Sequence, residues 1–235
     1  MDSIDNNINI LLVIPLYNNR NTIEDVAGDA LKSGLELLVV DDGSNDGGSE
    51  LIESMGLSLL KHSENRGKGK AIQTAAAWAE EKGFSHIITI DADGQHDPAE
   101  LNKFIKKIEE NPLSIVVGNR DLRRAGAPYP SRLGKTLSNF WLKVVTGKSL
   151  PDTQSGFRAY PVRALNEIKC FSSRYDYEIE ILVRSSWAGF DLDFINISVK
   201  YSDEINKTSH FRPWLDNLRC IKIFACLLFK RLALR

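Results

Sequence analysis

The stretch His86-Ile87-Ile88-Thr89-Ile90-Asp91-Ala92-Asp93-Gly94-Gln95-His96-Asp97-Pro98 decides the fold. Its first five residues are mostly apolar and β-branched, which reads as a buried strand. The strand runs into two carboxylates spaced i and i+2, then a Gly, then a Pro suited to open a helix. In an open α/β sheet, ligands bind in the crevice beyond the carboxyl ends of the strands. Two acids there suit a hard divalent cation, because Mg²⁺ takes one or two carboxylates together with substrate phosphates. A bare Asp-x-Asp is also compatible with a solvated turn that caps the next helix. The surrounding sequence has to separate the two.

Working outward, strands and helices alternate on both sides of this stretch. Ile8 to Ile14 reads as a strand stopped by Pro15, followed by a helix over Thr22 to Lys32. Leu35 to Val40 is a second strand, ending in the turn-rich Asp41-Asp42-Gly43-Ser44-Asn45-Asp46-Gly47-Gly48. A helix over Ser49 to Met55, a short strand over Leu57 to Leu60 and an Ala-rich helix over Gly69 to Lys82 come next. Beyond the central stretch, Pro98 to Glu110 patterns as a helix and Ser114 to Val117 as a strand. This alternation predicts an α/β fold with a mostly parallel sheet covered on both faces.

After Gly118 the pattern changes. Asn119 to Ser131 reads as an Arg- and Pro-bearing loop, Ser131 to Thr146 as a helix, and Pro151 to Tyr160 as a turn and strand. Tyr177 to Ala188 reads as a helix, Asp191 to Tyr201 as a strand, and Trp214 to Leu234 as a final helix.

Composition narrows the function. Apolar residues at 43% and charged residues at 26% fit a globular domain. A net charge of −1 gives no bulk attraction for nucleic acid. Cys170, Cys220 and Cys226 are odd in number and lack metal-ligand spacing, so they read as buried thiols in a reducing compartment. No secretory leader and no apolar run long enough to span a membrane is apparent, which predicts a cytoplasmic protein.

Three loops follow strands on one side of the predicted sheet: Ile14 to Asn19, Val40 to Ser44, and Asp91 to Gln95. Neither a G-x-G-x-x-G after the first strand nor a P-loop spacing around Gly67-Lys68-Gly69-Lys70 is present. Taken together with Asn65-Arg66-Gly67-Lys68-Gly69, Gly118-Asn119-Arg120, Asp152-Thr153-Gln154-Ser155-Gly156-Phe157-Arg158 and Tyr177-Glu178-Ile179-Glu180, these loops carry a specific resemblance. The chain resembles the family 2 glycosyltransferases of GT-A (Rossmann-like) fold, and within them the dolichol/polyprenol-phosphate mannosyltransferase branch. The similarity runs from Ile10 to about Trp214.

The resemblance implies roles. Pro15 and Tyr17 would flank a nucleobase, and Asp41 and Asp42 would hold the nucleoside; Asp-Gly-Ser also satisfies turn chemistry without a ligand. Asp91, Asp93 and Gln95 would surround Mg²⁺ or Mn²⁺ on the donor diphosphate, with the metal as a Lewis acid toward the leaving group. Lys68 would face phosphate or stand as a solvated helix-start residue. Arg120 and Arg132 match arginines that hold an anionic lipid phosphate, a contact suited to guanidinium geometry. Ser155, Gly156 and Arg158 lie in the motif lining the donor and acceptor pocket, and Asp152 would orient a sugar hydroxyl. A sugar-hydroxyl acceptor would instead need a carboxylate base, for which Asp176 and Glu178 are the candidates.

The expected activity is inverting, metal-dependent transfer of mannose or glucose from GDP-mannose or a UDP-hexose to a polyprenyl or dolichyl phosphate. Transfer to a sugar hydroxyl of a glycan or glycolipid, and a non-catalytic nucleotide-sugar binding module, are the alternatives. Two positions depart from the family pattern. Asn19 stands where Glu is common after Tyr-Asn, and the Ser202 to Phe211 loop lacks an arginine, leaving Lys207, His210 or Arg212 as substitutes.

The organisation expected is a catalytic domain over 1–212 and a basic amphipathic helix over 213–235. From Arg212 to Arg235, Arg212, Arg219, Lys222, Lys230, Arg231 and Arg235 face one acid, Asp216. On a helical wheel Trp214, Leu218, Ile221, Ala225, Leu228 and Leu232 share a side, the pattern of an interfacial membrane helix or of a terminal helix packed on its domain. A peripheral site at the cytoplasmic face of a membrane, or a membrane partner subunit, would bring such a chain to a lipid acceptor.

Overall fold

A computed structural model describes residues 8–200 and 213–233, with side chains over 8–200 and 220–231. The chain is an α/β protein built on one seven-stranded sheet. Its elements are β1 (Ile10–Leu16), α1 (Arg20–Leu31), β2 (Glu36–Asp41), α2 (Gly48–Ser54), β3 (Ser58–Lys61), α3 (Lys68–Glu81), β4 (His86–Thr89) and α4 (Leu101–Glu110). The second half adds β5 (Ser114–Arg120), α5 (Tyr129–Thr146), β6 (Arg158–Pro161), α6 (Val162–Glu167), α7 (Tyr177–Trp187), β7 (Asp191–Ile197) and α8 (Pro213–Ala233). A 3₁₀ turn over Pro98–Glu100 precedes α4; Asp97 caps it by accepting a 3.0 Å hydrogen bond from the Ala99 amide.

The sheet order is β3-β2-β1-β4-β6-β5-β7. Pairing is parallel except at β6, which runs antiparallel to both β4 and β5. Alternate residues of β1 feed two cores. Leu11 and Val13 join α3, α5, α6, α7 and α8 on one face; Leu12 and Ile14 join α1, α2 and α4 on the other. These four are fully buried, each contributing roughly 1.5–3 kcal/mol by leaving water.

Several boundaries differ from the sequence reading. α5 opens at Tyr129 rather than Ser131, because Pro128 takes the cap and Pro130 fits the first turn without needing an amide donor. β7 ends at Ile197 rather than Tyr201. The short helix α6 was not expected; Val162, Ala164 and Leu165 bury it against α3.

α8 packs on the main core through Cys220, Phe224 and Leu227, whereas Ile221 and Ala225 from the predicted apolar side face out. Nearly the whole turn sequence Cys220 to Phe229 is apolar, so a wheel does not single out the buried side. The side chains of Trp214, Leu218, Arg219 and Leu232 lie outside the described residues. So does the Ser202 to Phe211 loop, with Lys207, His210 and Arg212.

Candidate active site

The parallel register aligns three strand ends. Leu16 of β1 pairs with Asp41 of β2, and Val13 pairs with Thr89 of β4, two residues before Asp91. The antiparallel β6 returns the chain to the same place. Thr89 pairs with Arg158, and the Thr89 hydroxyl donates 2.8 Å to the Gly156 carbonyl. That turn sets Gly156 directly against the Asp91 carboxylate. A Cβ at Gly156 would collide with that carboxylate and with the Lys68 ammonium, so only glycine leaves room for the cluster.

The first cluster forms here. Lys68 Nζ, at the start of α3, lies 2.5 Å from Asp91 Oδ1 and 2.7 Å from Glu178 Oε1 on α7. Burial works against the Lys68 charge, but Asp91 and Glu178 more than offset it and hold its pKa above the usual lysine range. Burial likewise opposes the Asp91 charge, yet Lys68 and then His96 pull its carboxyl well below the usual range. Asp93 moves the other way: burial and the Asp91 charge raise it. One Asp93 oxygen accepts from the Gln95 amide at 2.9 Å.

His96, absent from the roles read off the sequence, joins this cluster. Its Nε2 lies 3.8 Å from Asp91 Oδ2, and its buried Nδ1 has no partner among the described residues. It packs on Phe157 with ring centroids 5.4 Å apart. Its signal was available in the quoted stretch, five residues after Asp91, but one histidine in a turn carries little weight alone.

Among the described residues, no three His, Cys, Asp or Glu side chains are grouped to hold a metal by themselves. Mg²⁺ and Mn²⁺ do not require that, since one or two carboxylates plus phosphate oxygens suffice. The two adjacent acids fit a hard cation for a local reason. Burial and then the Asp91 charge raise the Asp93 pKa, and a divalent cation there would offset that repulsion.

The second cluster gathers where β5 ends. Arg120 forms a fork on Asp152, with Nε 2.8 Å from Oδ2 and Nη2 3.1 Å from Oδ1. Lys135 of α5 stands 3.4 Å from the same carboxylate and also donates to the Arg120 carbonyl. Burial would raise the Asp152 pKa, but Arg120 and then Lys135 bring it down to about 2. Asp152 is fully buried, so its work is to aim these cations. Arg132, one helical turn before Lys135, has a buried Nε without a partner among the described residues and lies over the Tyr129 ring. Sequence reasoning missed Lys135, which lacks any motif around it.

The remaining expected residues fall around these clusters. Pro15 and Tyr17 are half-buried at the end of β1. Asp41 accepts from the Ser44 amide at 3.0 Å and from the Ser44 and Ser49 hydroxyls. Asp42 accepts from the Arg66 amide at 2.9 Å and the Gly67 amide at 2.7 Å, and meets His62 Nδ1 at 2.7 Å. Both acids are buried and frame their own loops. Gly67 has φ +96°, and a Cβ there would strike the Ser173 carbonyl, which fixes the approach of α3 to the loop before α7.

Arg158 departs from the expected place. It is fully buried and donates to the Ser155, Thr153 and Glu178 carbonyls at 2.6, 2.9 and 2.7 Å. It braces the 153–156 turn from behind rather than lining the crevice. The guanidinium satisfies carbonyls that an irregular buried turn would otherwise leave unpaired.

Comparisons with known proteins agree with this architecture. Residues 11–169 match the model of glycosyl transferase family 2. A UDP-N-acetylglucosamine–dolichyl-phosphate N-acetylglucosaminyltransferase of Methanococcus voltae is 26% identical over 217 residues, covering 83% of this chain and 86% of its own. A polyprenol monophosphomannose synthase of Mycolicibacterium smegmatis is 27% identical over 197 residues, covering 77% of this chain and 74% of its own. In fold, the chain is similar to glucosyl-3-phosphoglycerate synthase of Mycobacterium tuberculosis, a structure holding Mn²⁺, UDP and phosphoglyceric acid. The TM-score is 0.73 at 19% identity, over 96% of this chain and 78% of that one. The crevice therefore sits on a GT-A sheet, and the chain belongs to glycosyltransferase family 2 and is a glycosyltransferase.

Proposed function

We propose that the protein transfers a hexose, mannose or glucose, from a nucleoside diphosphate sugar to a polyprenyl or dolichyl phosphate, with inversion. One observation carries the choice of acceptor. Glu178, the buried one of the two candidate bases, is paired with Lys68, and Asp152 beside it in the crevice is paired with Arg120 and Lys135. A sugar-hydroxyl acceptor needs a carboxylate to take its proton. A phosphate monoester is already anionic near neutral pH and needs cations to hold it. The names of the relatives, which specify dolichyl phosphate or polyprenol, support the same reading.

In this reading an acceptor phosphate oxygen attacks the anomeric carbon in one displacement. The bond from that carbon to the donor phosphate breaks, and the nucleoside diphosphate leaves with the electron pair. Arg120, aimed by Asp152, and Arg132 hold the acceptor phosphate in line. Pro15 and Tyr17 bound the nucleobase side, with Asp41 and Asp42 shaping the loop beneath the nucleoside. Asp91, Asp93 and Gln95 are the residues that would hold Mg²⁺ or Mn²⁺, which when bound neutralises charge developing on the leaving diphosphate. Lys68 supplies a further cation beside that diphosphate. The enzyme would work as a peripheral protein at the cytoplasmic face of a membrane, alone or with a membrane subunit. Among the described residues no helix is long and apolar enough to cross one.

The test is product formation from GDP-mannose, UDP-glucose and UDP-N-acetylglucosamine with undecaprenyl and dolichyl phosphates, in Mg²⁺ or Mn²⁺ and in chelator. A glycosyl phosphoryl lipid of inverted anomeric configuration, lost in chelator, is expected. Turnover only with sugar-hydroxyl acceptors, together with a severe loss in Glu178→Gln, would favour the glycan-directed alternative. No turnover with any acceptor, despite donor binding, would leave a nucleotide-sugar binding module.

A further inference from the structure

α5 has two unlike sides. Its inner side carries Lys135 to the Arg120–Asp152 pair, and buries Ser138, Leu142 and Val145. Its outer side exposes Tyr129, Leu133, Leu137, Phe140 and Val144, at 66%, 43%, 51%, 57% and 38% of their surface. These positions follow i, i+4, i+8, i+11 and i+15, which is one continuous stripe along a helix. Trp141, 38% exposed, flanks it and lies 6.5 Å, ring to ring, from Phe224 of α8. α8 continues the surface with Ile221 and Phe229, 62% and 73% exposed. A contiguous apolar face of this kind marks an interaction site rather than ordinary surface.

The charges around the stripe identify its partner. Neither Tyr129–Thr146 nor Cys220–Ala233 contains a single Asp or Glu. Lys143, Lys148 and Lys222 are exposed along it. Arg231 donates to the Val144 carbonyl, tying the basic end of α8 to the end of α5. A second protein surface would commonly be matched by mixed charge. Lys148 has an acid beside it, Asp191 at 3.7 Å, but the two helix segments carry cations alone, and such an apolar stripe matches an anionic lipid surface, with rings and aliphatic chains at the acyl boundary and lysines at the headgroups.

We propose that the outer face of α5, extended by Ile221 and Phe229 of α8, is the surface on which this protein lies on anionic lipid bilayers. This deepens the lipid-phosphate reading, because one helix then bridges the bilayer and the phosphate-holding cluster. Arg132 and Lys135 stand at the end of α5 where the acceptor phosphate would arrive, and the lipid chain would pass directly from that site into the membrane. It also shifts the membrane contact from α8 alone to α5 first, since part of the apolar surface of α8 is spent on the core.

The experiment is flotation of the full chain with vesicles of phosphatidylglycerol and phosphatidylcholine, and with phosphatidylcholine alone. Wild type should float with the anionic vesicles at low salt and much less at high salt. Leu137→Ser/Phe140→Ser should lower partitioning about tenfold or more, because both side chains lose their burial in lipid. Phe229→Ser should lower it less. Both side chains of the double variant are exposed, so thermal unfolding should be unchanged. Its turnover on a short, water-soluble isoprenyl phosphate should match wild type. That arm tests the acceptor reading separately, since failure there leaves the flotation result intact. Flotation equal to wild type in the double variant would overturn the proposal. If the same variant instead converts a dimer to a monomer in sedimentation velocity, the face is an interface between two copies.

Discussion

The two ion-pair clusters of the crevice are built from the same groups in opposite proportion. Around Lys68, the carboxylates of Asp91, Asp93 and Glu178 surround a single ammonium. Around Asp152, the cations Arg120 and Lys135, with Arg132 nearby, surround a single carboxylate. The first cluster has surplus negative charge and one acid, Asp91, that is 24% exposed at its side chain. The second has surplus positive charge and an acid with no exposure at all. A divalent cation therefore suits one and an anion the other. Under the proposed function they are the donor and acceptor ends of one displacement.

The largest expected effect breaks the first cluster. Asp91→Asn removes the acid that Lys68 and His96 both address, and transfer should fall by at least about 10²-fold, the scale for losing a group that stabilises developing charge. Thermal unfolding should move little, because Asp91 is partly exposed and Lys68 keeps Glu178. Retained activity in Asp91→Asn, or wild-type rates in excess chelator, would remove the metal role from this cluster.

The second cluster should respond in stability as well as rate. Arg120→Met leaves Asp152 buried with Lys135 as its remaining cation. Breaking a buried pair in this way costs about 3–5 kcal/mol, with Lys135 holding the loss near the lower end. Arg132→Met removes a guanidinium whose Nε has no partner among the described residues. It should raise the KM for lipid phosphate about tenfold while unfolding within roughly 0.5 kcal/mol of wild type. Equal destabilisation by both variants would mean that the two arginines share one structural duty.

How much of this was legible before the structure follows the same division. Asp91 and Asp93 of the first cluster follow an apolar, β-branched run directly, as Asp41 follows another, so these acids could be placed at strand ends at once, whereas Lys68 on α3 and Glu178 on α7 reach the cluster only through tertiary packing. Register explains the rest. Gly156 meets Asp91 only because β6 runs antiparallel to β4, and no local pattern in Arg158 to Pro161 states that direction. Lys135 and His96 carry no motif, and their roles come from tertiary approach. Arg158 was misplaced for the opposite reason. A charged residue in a loop motif suggests a ligand contact, whereas here it satisfies buried carbonyls. α6 is six residues long, below the length at which helical periodicity shows, and α8 is apolar on too many sides for periodicity to select a face.

Acid should sharpen the contrast. The folded Asp152 pKa is depressed to about 2 from an ordinary 3.8. A depressed carboxylate contributes stability that is present above its unfolded pKa and lost as pH falls through its folded pKa. Wild type should thus lose about 2 kcal/mol between roughly pH 4 and pH 2 from this group. In Asp152→Asn that segment of the stability profile should flatten, as read by denaturant unfolding at each pH. A slope unchanged by the substitution would assign the acid sensitivity to other carboxylates.

The smallest expected effect concerns how the first cluster is balanced without ligands. Lys68 Nζ sits on the Asp91 carboxylate that a divalent cation would use, so the two cations compete for it. A donor diphosphate would relieve that competition by giving Lys68 another anionic partner. Lys68→Met should therefore bind Mn²⁺ alone about tenfold more tightly than wild type, a difference of about 1.4 kcal/mol, as read by titration calorimetry. Lys68→Arg should remain near wild type because it keeps a cation in place. Lys70→Met controls for general charge, since Lys70 stands on the same helix start without an ion pair among the described residues, and its effect should be smaller. With UDP or GDP present, the advantage of Lys68→Met should shrink or reverse, because the nucleotide then loses a cation beside its phosphates. If Lys68→Met and Lys70→Met tighten Mn²⁺ binding equally, the competition is only long-range electrostatics. Asp91 and Lys68 would then be neighbours without an exchange of partners.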